Sequence, residues 1–317
     1  MGKSNLKPIA PPSDTIQRLV LLWYRKNGRD LPWRHTSDPY AILVSEIMLQ
    51  QTQVERVIPK YLDFLHRFPT IHDLAQSTLG HVLRIWAPLG YNIRAVRIHE
   101  MAIQMTTLYN GIVPDDLKTL RQIRGIGPYT ASAIACFAYG MDVPVIDINV
   151  KRVLTRLFQG VKRVPEKQLQ AIANKILPAG EASAWNQSLM DLGATICKAN
   201  RPRCIDCPVI RHCKAAPFLQ SGDGLGPNQS KLYKSTQTPF IGSRRFFRGR
   251  IVDYLRSLDL GEAVEVGYLG TVIRPDFNEE QLPWLMDLLQ DLNRDSLATL
   301  KRSEDGDTNS TKVSLPI

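Results

Sequence analysis

Residues Leu120 to Ala131 read LRQIRGIGPYTA, a stretch in which two glycines separate two apolar segments. Gly125 and Gly127 are expected to join these segments as a helical hairpin, because glycine suits positive φ and the close approach of another backbone. Their N–H groups would stand at the start of the helix from Tyr129, where they can bind a phosphate oxygen without reading base sequence. An ordinary helix–helix turn capped by glycine is the alternative. The basic chain and a cysteine cluster downstream favour phosphate binding.

Helical periodicity surrounds the hairpin from Asp14 to about Asn200, and strand signals are nearly absent there, so this region is predicted to be all-α. Asp38-Pro39 is expected to open one long helix over residues 40–68. After the cysteines, a stretch rich in Gly, Ser, Pro and Gln indicates a linker. Residues 262–273 then alternate like strands between two helical segments, which suits a small α+β, winged-helix-like module. The predicted divisions are a flexible N-terminus 1–13, the all-α region 14–214, the linker 215–240, the small module 241–303 and a polar tail 304–317.

The composition limits the class of partner. The chain has 317 residues, 44% hydrophobic content and a net charge of +10, which together indicate a globular protein that binds a polyanion. Nucleic acid is the simplest such partner, although charge alone does not separate DNA from RNA or from an acidic membrane surface. No run of eighteen apolar residues predicts a membrane span, and the first residues lack the apolar run of a signal peptide. The expected location is a reducing, cytoplasmic compartment, nucleoid-associated if the chain is prokaryotic.

Four of the five cysteines lie within seventeen residues, separated by six, two and five residues. Four thiolates from one short loop can hold either a [4Fe–4S] cluster or a zinc ion. Disulfides are less favoured, because nothing else indicates a secreted protein. The spacing alone leaves iron–sulfur and zinc equally open. The cysteines are Cys197, Cys204, Cys207 and Cys213.

One acidic residue, Asp147, lies between an apolar segment and a predicted helix. An aspartate in that place commonly caps the helix, and the helix dipole favours its charged form. A buried carboxylate held ionised could also stabilise a developing positive charge. The sequence is compatible with both roles.

A second acidic residue, Glu46, lies on a predicted helix beside Ile42, Leu43 and Leu49. Aliphatic neighbours would remove water from the carboxyl group and favour its neutral, proton-donating form. The alternative is a solvated glutamate, because Gln50 and Gln53 share its face. Two carboxyl groups, one protonated and one ionised, are a recurring arrangement for breaking a glycosidic bond.

These motifs occur in an order that resembles a known family. The glycine hairpin, Asp147 about twenty residues later and the C-x6-C-x2-C-x5-C loop are similar to the helix-hairpin-helix DNA glycosylases of the endonuclease III superfamily. Within that superfamily the match is to the adenine DNA glycosylases of MutY type, over residues 14–214. The resemblance implies a six-helix barrel module plus an iron–sulfur helical module. The other matching segments are Trp23-Tyr24, Arg29–Arg34, Asp38–Tyr40, Ser45–Gln53, Leu89–Tyr91 and Asn186–Gly193.

The resemblance also implies roles for single residues. Glu46 matches the acid that protonates the adenine ring and later handles water, and Asp147 matches the carboxylate that stabilises the sugar cation. Gln51 matches the residue inserted at the vacated base position, and Tyr91 matches a wedge beside the orphaned base. The lining of the extruded-base pocket corresponds to Leu31, Trp33, Arg34 and Gln187. The four cysteines match ligands of a [4Fe–4S] cluster, which by resemblance rather than by spacing favours iron over zinc.

Tyr129 is informative because bifunctional relatives carry a lysine at this position, which forms a Schiff base with the sugar. Tyrosine cannot form an imine, so we expect a monofunctional enzyme that removes a base and leaves the backbone intact. The implied substrate is double-stranded DNA containing a mispaired or damaged base, and the enzyme is expected to act as a monomer. Base excision repair of adenine opposite 8-oxoguanine or guanine is the predicted function.

The chain departs from the family pattern at three places. Arg124 stands where proline is usual, and Ile148 stands where glycine usually follows the catalytic aspartate. The residues after Lys214 are unlike the Nudix-like domain that reads 8-oxoguanine in longer members.

Two other functions are compatible with these residues. A mismatch thymine or uracil glycosylase of the same fold shares a tyrosine at position 129, although Gln50–Gln53 and Leu89–Tyr91 favour the adenine enzyme. A non-catalytic DNA-binding protein would keep the hairpin and the cluster as scaffold. Intact Glu46 and Asp147 argue against that possibility.

Overall fold

The computed structural model describes residues 13–162, 164–220, 239–302 and 307–317. The predicted flexible segment 1–13, apart from Ser13, and the predicted linker 215–240, apart from its two ends, lie outside this range. None of the helices in these ranges is long and apolar enough to span a membrane.

In its described part the predicted all-α region consists of helices joined by turns and loops, with no strand, as expected. Its helices are α1 (Ser13–Asn27), α2 (Pro39–Leu49), α3 (Val54–Arg67), α4 (Ile71–Gln76), α5 (Leu79–Trp86), α6 (Ile93–Tyr109), α7 (Leu117–Leu120), α8 (Pro128–Phe137), α9 (Ile148–Gln159), α10 (Glu166–Lys175) and α11 (Ala182–Thr195). Short 3-10 turns cover Pro32–Arg34, Cys204–Asp206 and Ile210–His212.

The long helix predicted over residues 40–68 is two helices, α2 and α3, so that prediction was wrong. Gln51 adopts a left-handed conformation with φ of 56°, and Gln53 is extended as the N-cap of α3. The polar run from Gln50 to Gln53 has no apolar side chain to continue the buried stripe of α2, and the chain turns there.

The C-terminal residues form the expected small α+β module. Its strands are antiparallel in the order β1–β3–β2, with Val264 opposite Val313 and Leu300 opposite Val313. The sequence of elements, helix, strand, two helices and two strands, is that of a winged helix. After α12 (Ala216–Gln220), the elements are α13 (Arg244–Ser257), β1 (Ala263–Glu265), α14 (Val266–Ile273), α15 (Leu282–Arg294), β2 (Thr299–Lys301) and β3 (Lys312–Ser314).

Two details of this module differ from the sequence-based expectation. Residues 262–273 were predicted as strands, but only Ala263–Glu265 is a strand and Val266–Ile273 is a helix. The helix forms because Val266, Leu269 and Ile273, at spacings of three and four, are buried on one face. Residues 304–317 were expected to be a polar tail, whereas Lys312–Ser314 is the central strand with Val313 fully buried.

The chain divides into two compact units, and the first lies within residues 1–42, 115–118 and 127–235. Its core joins α1, α9, α10 and α11, with Trp185 only 1% exposed at its centre. Burial of each large apolar side chain there contributes about 1.5–3 kcal/mol of transfer free energy. Three of the four clustered cysteines, all but Cys204, pack against this core.

The second unit lies within residues 43–114, 119–126 and 236–317. It contains α3 to α6 and the described residues of the C-terminal module. Arg84 Nη2 donates to the carbonyls of Leu258 at 2.6 Å and Asp259 at 3.0 Å. Arg256 Nη2 donates to Asn92 Oδ1 at 2.8 Å, which attaches α13 to the turn before α6.

Candidate active site

The glycine hairpin is formed from unequal halves. The helix predicted before it spans only Leu117–Leu120, and turns lead from there to α8. Gly125 has φ of +102°, so the predicted need for glycine is real at this position. Gly127 is extended and is the N-cap of α8, and a Cβ added to it would meet no atom within 4 Å. This open space is compatible with an anion at the N-terminus of α8, where helices leave unpaired N–H groups.

Asp147 is the N-cap of α9, as predicted, and is half-buried. Its Oδ1 accepts the backbone N–H of Val150 at 2.7 Å, and its Oδ2 accepts the Asn149 amide at 2.7 Å. Asn149 Oδ1 in turn accepts from Arg152 Nη2 at 2.7 Å, and Arg152 also donates to the carbonyl of Gly193. This chain of hydrogen bonds fixes the rotamer of the carboxylate.

Glu46 lies in α2 and is 6% exposed, so the solvated alternative considered for it is wrong. Its neighbours in the helix, from Tyr40 to Met48, are buried as well. A carboxyl group in such surroundings loses hydration, which disfavours its charged form. Burial therefore agrees with the proton-donating role that the sequence left open.

Arg34, predicted to line the base pocket, is held by a buried carboxylate that the sequence reasoning did not single out. Its Nη1 and Nη2 each donate to Asp191 at 2.8 Å, and Arg29 Nε donates to the same carboxylate at 2.7 Å. Asp191 is fully buried, and burial alone would raise its pKa. Hydrogen bonds from Arg34 and from the Arg29 backbone outweigh burial and lower the pKa of Asp191 below its ordinary value.

The other predicted pocket residues lie in the same unit. Leu31 and Trp33 are buried on either side of Pro32. Gln187 Oε1 accepts from the Tyr24 hydroxyl at 2.6 Å, and the Arg34 guanidinium lies over the Tyr24 ring at 5.6 Å. Tyr24 thus connects Gln187 to the Arg34–Asp191 pair, and a signal for Asp191 was its place in the matching segment Asn186–Gly193.

The two residues predicted to enter the duplex are on exposed turns of the second unit. Gln51 is exposed between α2 and α3 with φ of 56°. Tyr91 is 48% exposed before α6 with φ of 46°. Positive φ is uncommon for residues other than glycine and marks local strain that surrounding contacts must support.

Tyr129 is the second residue of α8 and is half-buried against Cys136, Val145 and their neighbours. Lys151, one turn after Asp147, is exposed. The phenol of Tyr129 offers no amine that could form an imine with a sugar.

All four clustered cysteines line one cavity, together with apolar side chains only. Burial raises the pKa of Cys204 and Cys213, and raises that of Cys207 to about 12, so these three bare thiols are neutral at pH about 7. Arg156 Nη1 lies 3.4 Å from Cys197 Sγ. Among the described residues no group of three or more His, Cys, Asp or Glu side chains is arranged as a finished metal site. The shared cavity and the all-sulfur donor set fit a thiophilic metal or cluster.

The predicted residues are divided between the two units. The first unit contains Leu31, Trp33, Arg34, Gln187, Tyr129, Asp147, Gly127 and the four cysteines. The second unit contains Glu46, Gln51, Tyr91 and Gly125. Asn149, Asp191 and Arg94 contact predicted site residues, and sequence reasoning missed all three. The contacts of Asp191 and Arg94 join segments distant in sequence, which periodicity does not reveal, whereas Asn149 contacts Asp147 and Arg152, two and three positions away.

Comparisons with known proteins agree with the motifs. Residues 44–179 match the HhH-GPD superfamily of base excision DNA repair proteins. The adenine DNA glycosylase of Mycolicibacterium smegmatis is 41% identical over 240 residues, covering 75% of this chain and 79% of that protein. A solved thermostable thymine-DNA glycosylase aligns with a TM-score of 0.62 and 30% identity, over 65% of this chain and 96% of that one.

A trapped endonuclease III–DNA covalent intermediate shares the fold, with a TM-score of 0.58 and 23% identity over 66% of this chain and 98% of that one. The fold and the identity to curated relatives confirm the resemblance that the motifs indicated. The chain therefore belongs to the adenine DNA glycosylase (MutY-type) family of the helix-hairpin-helix superfamily, and it is a DNA N-glycosylase of base excision repair.

Proposed function

We propose that this enzyme removes adenine mispaired with 8-oxoguanine or guanine from double-stranded DNA, as a monofunctional glycosylase acting as a monomer. The observation that carries the proposal is the contrast between its two carboxyl groups. Glu46 is 6% exposed within the apolar helix α2, and the Asp147 carboxylate at the start of α9 is half-buried and accepts two N–H groups. Burial disfavours the charged form of a carboxyl group, and the two N–H donors hold the Asp147 carboxylate in one orientation.

These two carboxyl groups suit hydrolysis of an N-glycosidic bond. Glu46 donates its proton to a ring nitrogen of adenine, and the bonding pair of the C1′–N9 bond leaves with the base. The Asp147 carboxylate stabilises the oxocarbenium-like sugar that remains. Water then bonds to C1′, and its proton returns to the Glu46 carboxylate, which restores the enzyme.

Strand cleavage is not part of this reaction. A Schiff-base mechanism needs an amine that attacks C1′, and position 129 carries a phenol. We infer that the product is an intact strand with an abasic site, which breaks only on later treatment with alkali.

The target base is read, in this proposal, by the unit that contains Arg34 and Gln187. An adenine taken out of the stack needs a snug pocket with a few fixed polar groups. Buried Leu31 and Trp33 supply apolar walls, and the Tyr24–Gln187 and Arg34–Asp191 contacts hold the polar side chains in place.

The four cysteines are proposed to hold a [4Fe–4S] cluster, which would act as a structural staple. When bound, the cluster supplies positive charge that stabilises thiolates, and base hydrolysis requires no redox chemistry from it. Lys198, Arg201 and Arg203 are exposed in the same loop and are placed to contact phosphates. Finding iron and sulfide in the purified protein, together with a broad absorption at about 400 nm, supports the cluster. Finding zinc without that absorption contradicts it.

A second candidate function is mismatch thymine or uracil excision. The fold match to a thymine-DNA glycosylase at 30% identity favours it, since that protein is covered over 96% of its length. The higher identity to adenine DNA glycosylases, 41% over 240 residues, supports adenine as the first choice.

A duplex panel separates the candidates. The purified enzyme is incubated with A opposite 8-oxoguanine, A opposite G, T opposite G and U opposite G, and strand breaks are counted with and without alkali. We expect alkali-dependent breaks at adenine only. Breaks at thymine or uracil without any at adenine support the second candidate, and no release from any duplex supports a non-catalytic DNA-binding protein. Breaks without alkali contradict the monofunctional assignment.

The role of Glu46 is tested by Glu46→Gln, which keeps the size of the side chain and removes its proton. We expect the rate of adenine release to fall by at least about 1,000-fold while duplex affinity stays within a few-fold. Glu55→Gln is the matched control, because Glu55 is exposed in α3 and has no assigned role. Substantial turnover by Glu46→Gln removes Glu46 from the mechanism.

A further inference from the structure

Arg94, in the first turn of α6, is a buried cation whose contacts reach two separate turns. It is 3% exposed, and its Nη1 donates to the carbonyls of Ile47 at 3.1 Å, Met48 at 2.8 Å and Gln50 at 2.5 Å. Nη2 donates to Thr52 Oγ1 at 3.0 Å. These acceptors are the last carbonyls of α2 and the turn that carries Gln51. A cation satisfies the free carbonyls at a helix C-terminus.

The same guanidinium holds the turn that carries Tyr91. Nη2 also donates to the carbonyl of Gly90 at 3.1 Å, and Nε donates to the carbonyl of Tyr91 at 3.4 Å. The guanidinium lies over the Trp86 ring at 5.2 Å and over the Tyr91 ring at 5.5 Å. Trp86 Nε1 donates to the Gly90 carbonyl as well, at 3.1 Å, so this turn is held from two sides.

Both turns contain a residue in the left-handed region. Gln51 and Tyr91 are two of the five residues other than glycine with positive φ among the described residues. Such conformations persist only where neighbouring contacts fix them, and they concentrate at functional sites. Arg94 donates to carbonyls beside both residues, which makes it the contact that the two strained turns share.

We propose that Arg94 is a positioning residue that sets the Gln51 turn and the Tyr91 turn relative to each other as one device for entering the duplex. The proposal rests on the function proposed above, in which these two side chains enter DNA. A guanidinium suits this task because its planar fork of five N–H donors serves several acceptors at once. A lysine ammonium has three donors on one atom and cannot reproduce the fork.

The test compares Arg94→Lys and Arg94→Ala with the wild type and with Arg97→Ala. Arg97 is exposed in the same helix, so its loss removes an equal charge without touching either turn. The probe is a duplex with adenine opposite 8-oxoguanine and 2-aminopurine beside the target, because its fluorescence rises when the base stack opens. Duplex affinity, the fluorescence rise, the single-turnover rate of adenine release and the thermal unfolding midpoint are measured for each variant.

We expect Arg94→Lys to bind the duplex within a few-fold of the wild type but to open the stack and release adenine about 10- to 100-fold more slowly, as misplaced groups do. Added guanidinium chloride, with sodium chloride at equal concentration as control, should partly restore both rates in Arg94→Ala. A merely structural role would lower the unfolding midpoint without this selective loss or its rescue.

Thr52→Val keeps the proposal testable if the arginine variants do not fold. It removes one acceptor of Arg94 with little change of shape, and we expect stack opening to slow by about three- to tenfold. If a folded Arg94→Lys opens the stack at the wild-type rate, this inference is overturned and the proposed function is not. If Arg94→Lys does not fold, a wild-type rate of stack opening in Thr52→Val has the same meaning. A wild type that releases adenine from no duplex overturns the proposed function, and the inference with it.

Discussion

Two arginines, one in each unit, are buried by opposite means. Arg34 in the first unit has a carboxylate partner, Asp191, which accepts from both of its terminal nitrogens. Arg94 in the second unit donates to main-chain carbonyls and one hydroxyl, and no carboxylate pairs with it among the ion pairs of the described ranges. Burial lowers the pKa of Arg94 to about 10, which still leaves it charged at neutral pH.

The difference teaches what each charge can do. A paired charge is neutralised inside a rigid hydrogen-bond network, so the Arg34 and Asp191 side chains stay in fixed rotamers. A charge shared among carbonyls attaches several backbone segments at one point, so Arg94 fixes turns rather than side chains. We therefore expect loss of the Arg34 network to show mainly in folding, and loss of the Arg94 contacts to show mainly in the handling of DNA.

The largest effect on stability should follow from Asp191→Ala. It removes the anion from a site where Asp191 is fully buried and the Arg34 side chain is 9% exposed, and it leaves the Arg34 guanidinium with the Arg29 carbonyl but without its carboxylate. We expect the free energy of unfolding to fall by about 3–5 kcal/mol. Denaturant unfolding followed by circular dichroism measures the loss.

Glu181→Ala is the matched control in the same unit. Glu181 pairs with Arg25 at 3.6 Å, and both side chains are largely exposed, so we expect at most about 1 kcal/mol. If Asp191→Ala costs no more than Glu181→Ala, the carboxylate does not hold the Arg34 network and the contrast between the two arginines fails.

Acid should weaken the Arg34 network selectively. The folded-state pKa of Asp191 lies below its ordinary value of about 3.9, so the stability that this carboxylate contributes is present above that pH and is lost as pH falls through the folded pKa. We expect the stability gap between the wild type and Asp191→Asn to be largest near neutral pH. Below pH about 4 the gap should shrink as the wild-type carboxylate takes up a proton.

Thermal unfolding midpoints of both proteins, recorded from about pH 7 down to about pH 3, measure this gap. Asp191→Asn is compared with the wild type because other carboxylates add their own acid dependence to both proteins equally. One of these is Asp63, whose pKa is lowered by a hydrogen bond from Lys60. A gap that stays constant over the whole range contradicts the assigned protonation of Asp191.

A smaller effect is expected from Gly125→Ala. Gly125 has φ of +102°, and a Cβ there would approach the terminal methyl of Met101 to 2.5 Å. The methionine side chain can move aside, but the backbone strain remains, so we expect a loss of about 1–2 kcal/mol. Chemical denaturation measures it, and Gly249→Ala, inside α13 and in open space, should stabilise or be neutral. If Gly125→Ala has the same free energy of unfolding as the wild type, the hairpin tolerates a side chain at its turn.

Motifs made of neighbouring residues were predictable from the sequence. The glycine hairpin, the cysteine loop and the capping position of Asp147 each depend on a few consecutive residues, and the structure has the positive φ at Gly125, the shared cysteine cavity and the cap. Most helix spans in the all-α region were predictable too, apart from the single helix expected over residues 40–68, since burial on one helical face leaves a periodic signal.

Features that depend on distant contacts were not predictable. The break between α2 and α3 lies at Gln51, whose turn is held by Arg94, a residue 43 positions later. The strand Lys312–Ser314 lies in a segment that is mostly polar in sequence, and it forms by pairing with β1 and β2, with only Val313 buried. In the sequence, Asp191 is one acidic residue in a predicted helix. Its partners Arg29 and Arg34 lie before α2, and only the fold brings them to it.

The smallest effect on stability, and the most specific for DNA, should come from Gly127→Ala. An added Cβ meets no protein atom within 4 Å, and φ of −84° suits any residue, so the free energy of unfolding should change by less than about 0.5 kcal/mol. A phosphate drawn to the N–H groups at the start of α8 would meet the new methyl group. Duplex affinity should therefore fall by a similar factor for every base sequence, because phosphate contacts carry no sequence information. Fluorescence anisotropy with matched and mismatched duplexes measures this, with Gly249→Ala as the control for an added methyl group. If the affinity for both duplexes is unchanged, the hairpin is an ordinary helix–helix turn that does not bind phosphate.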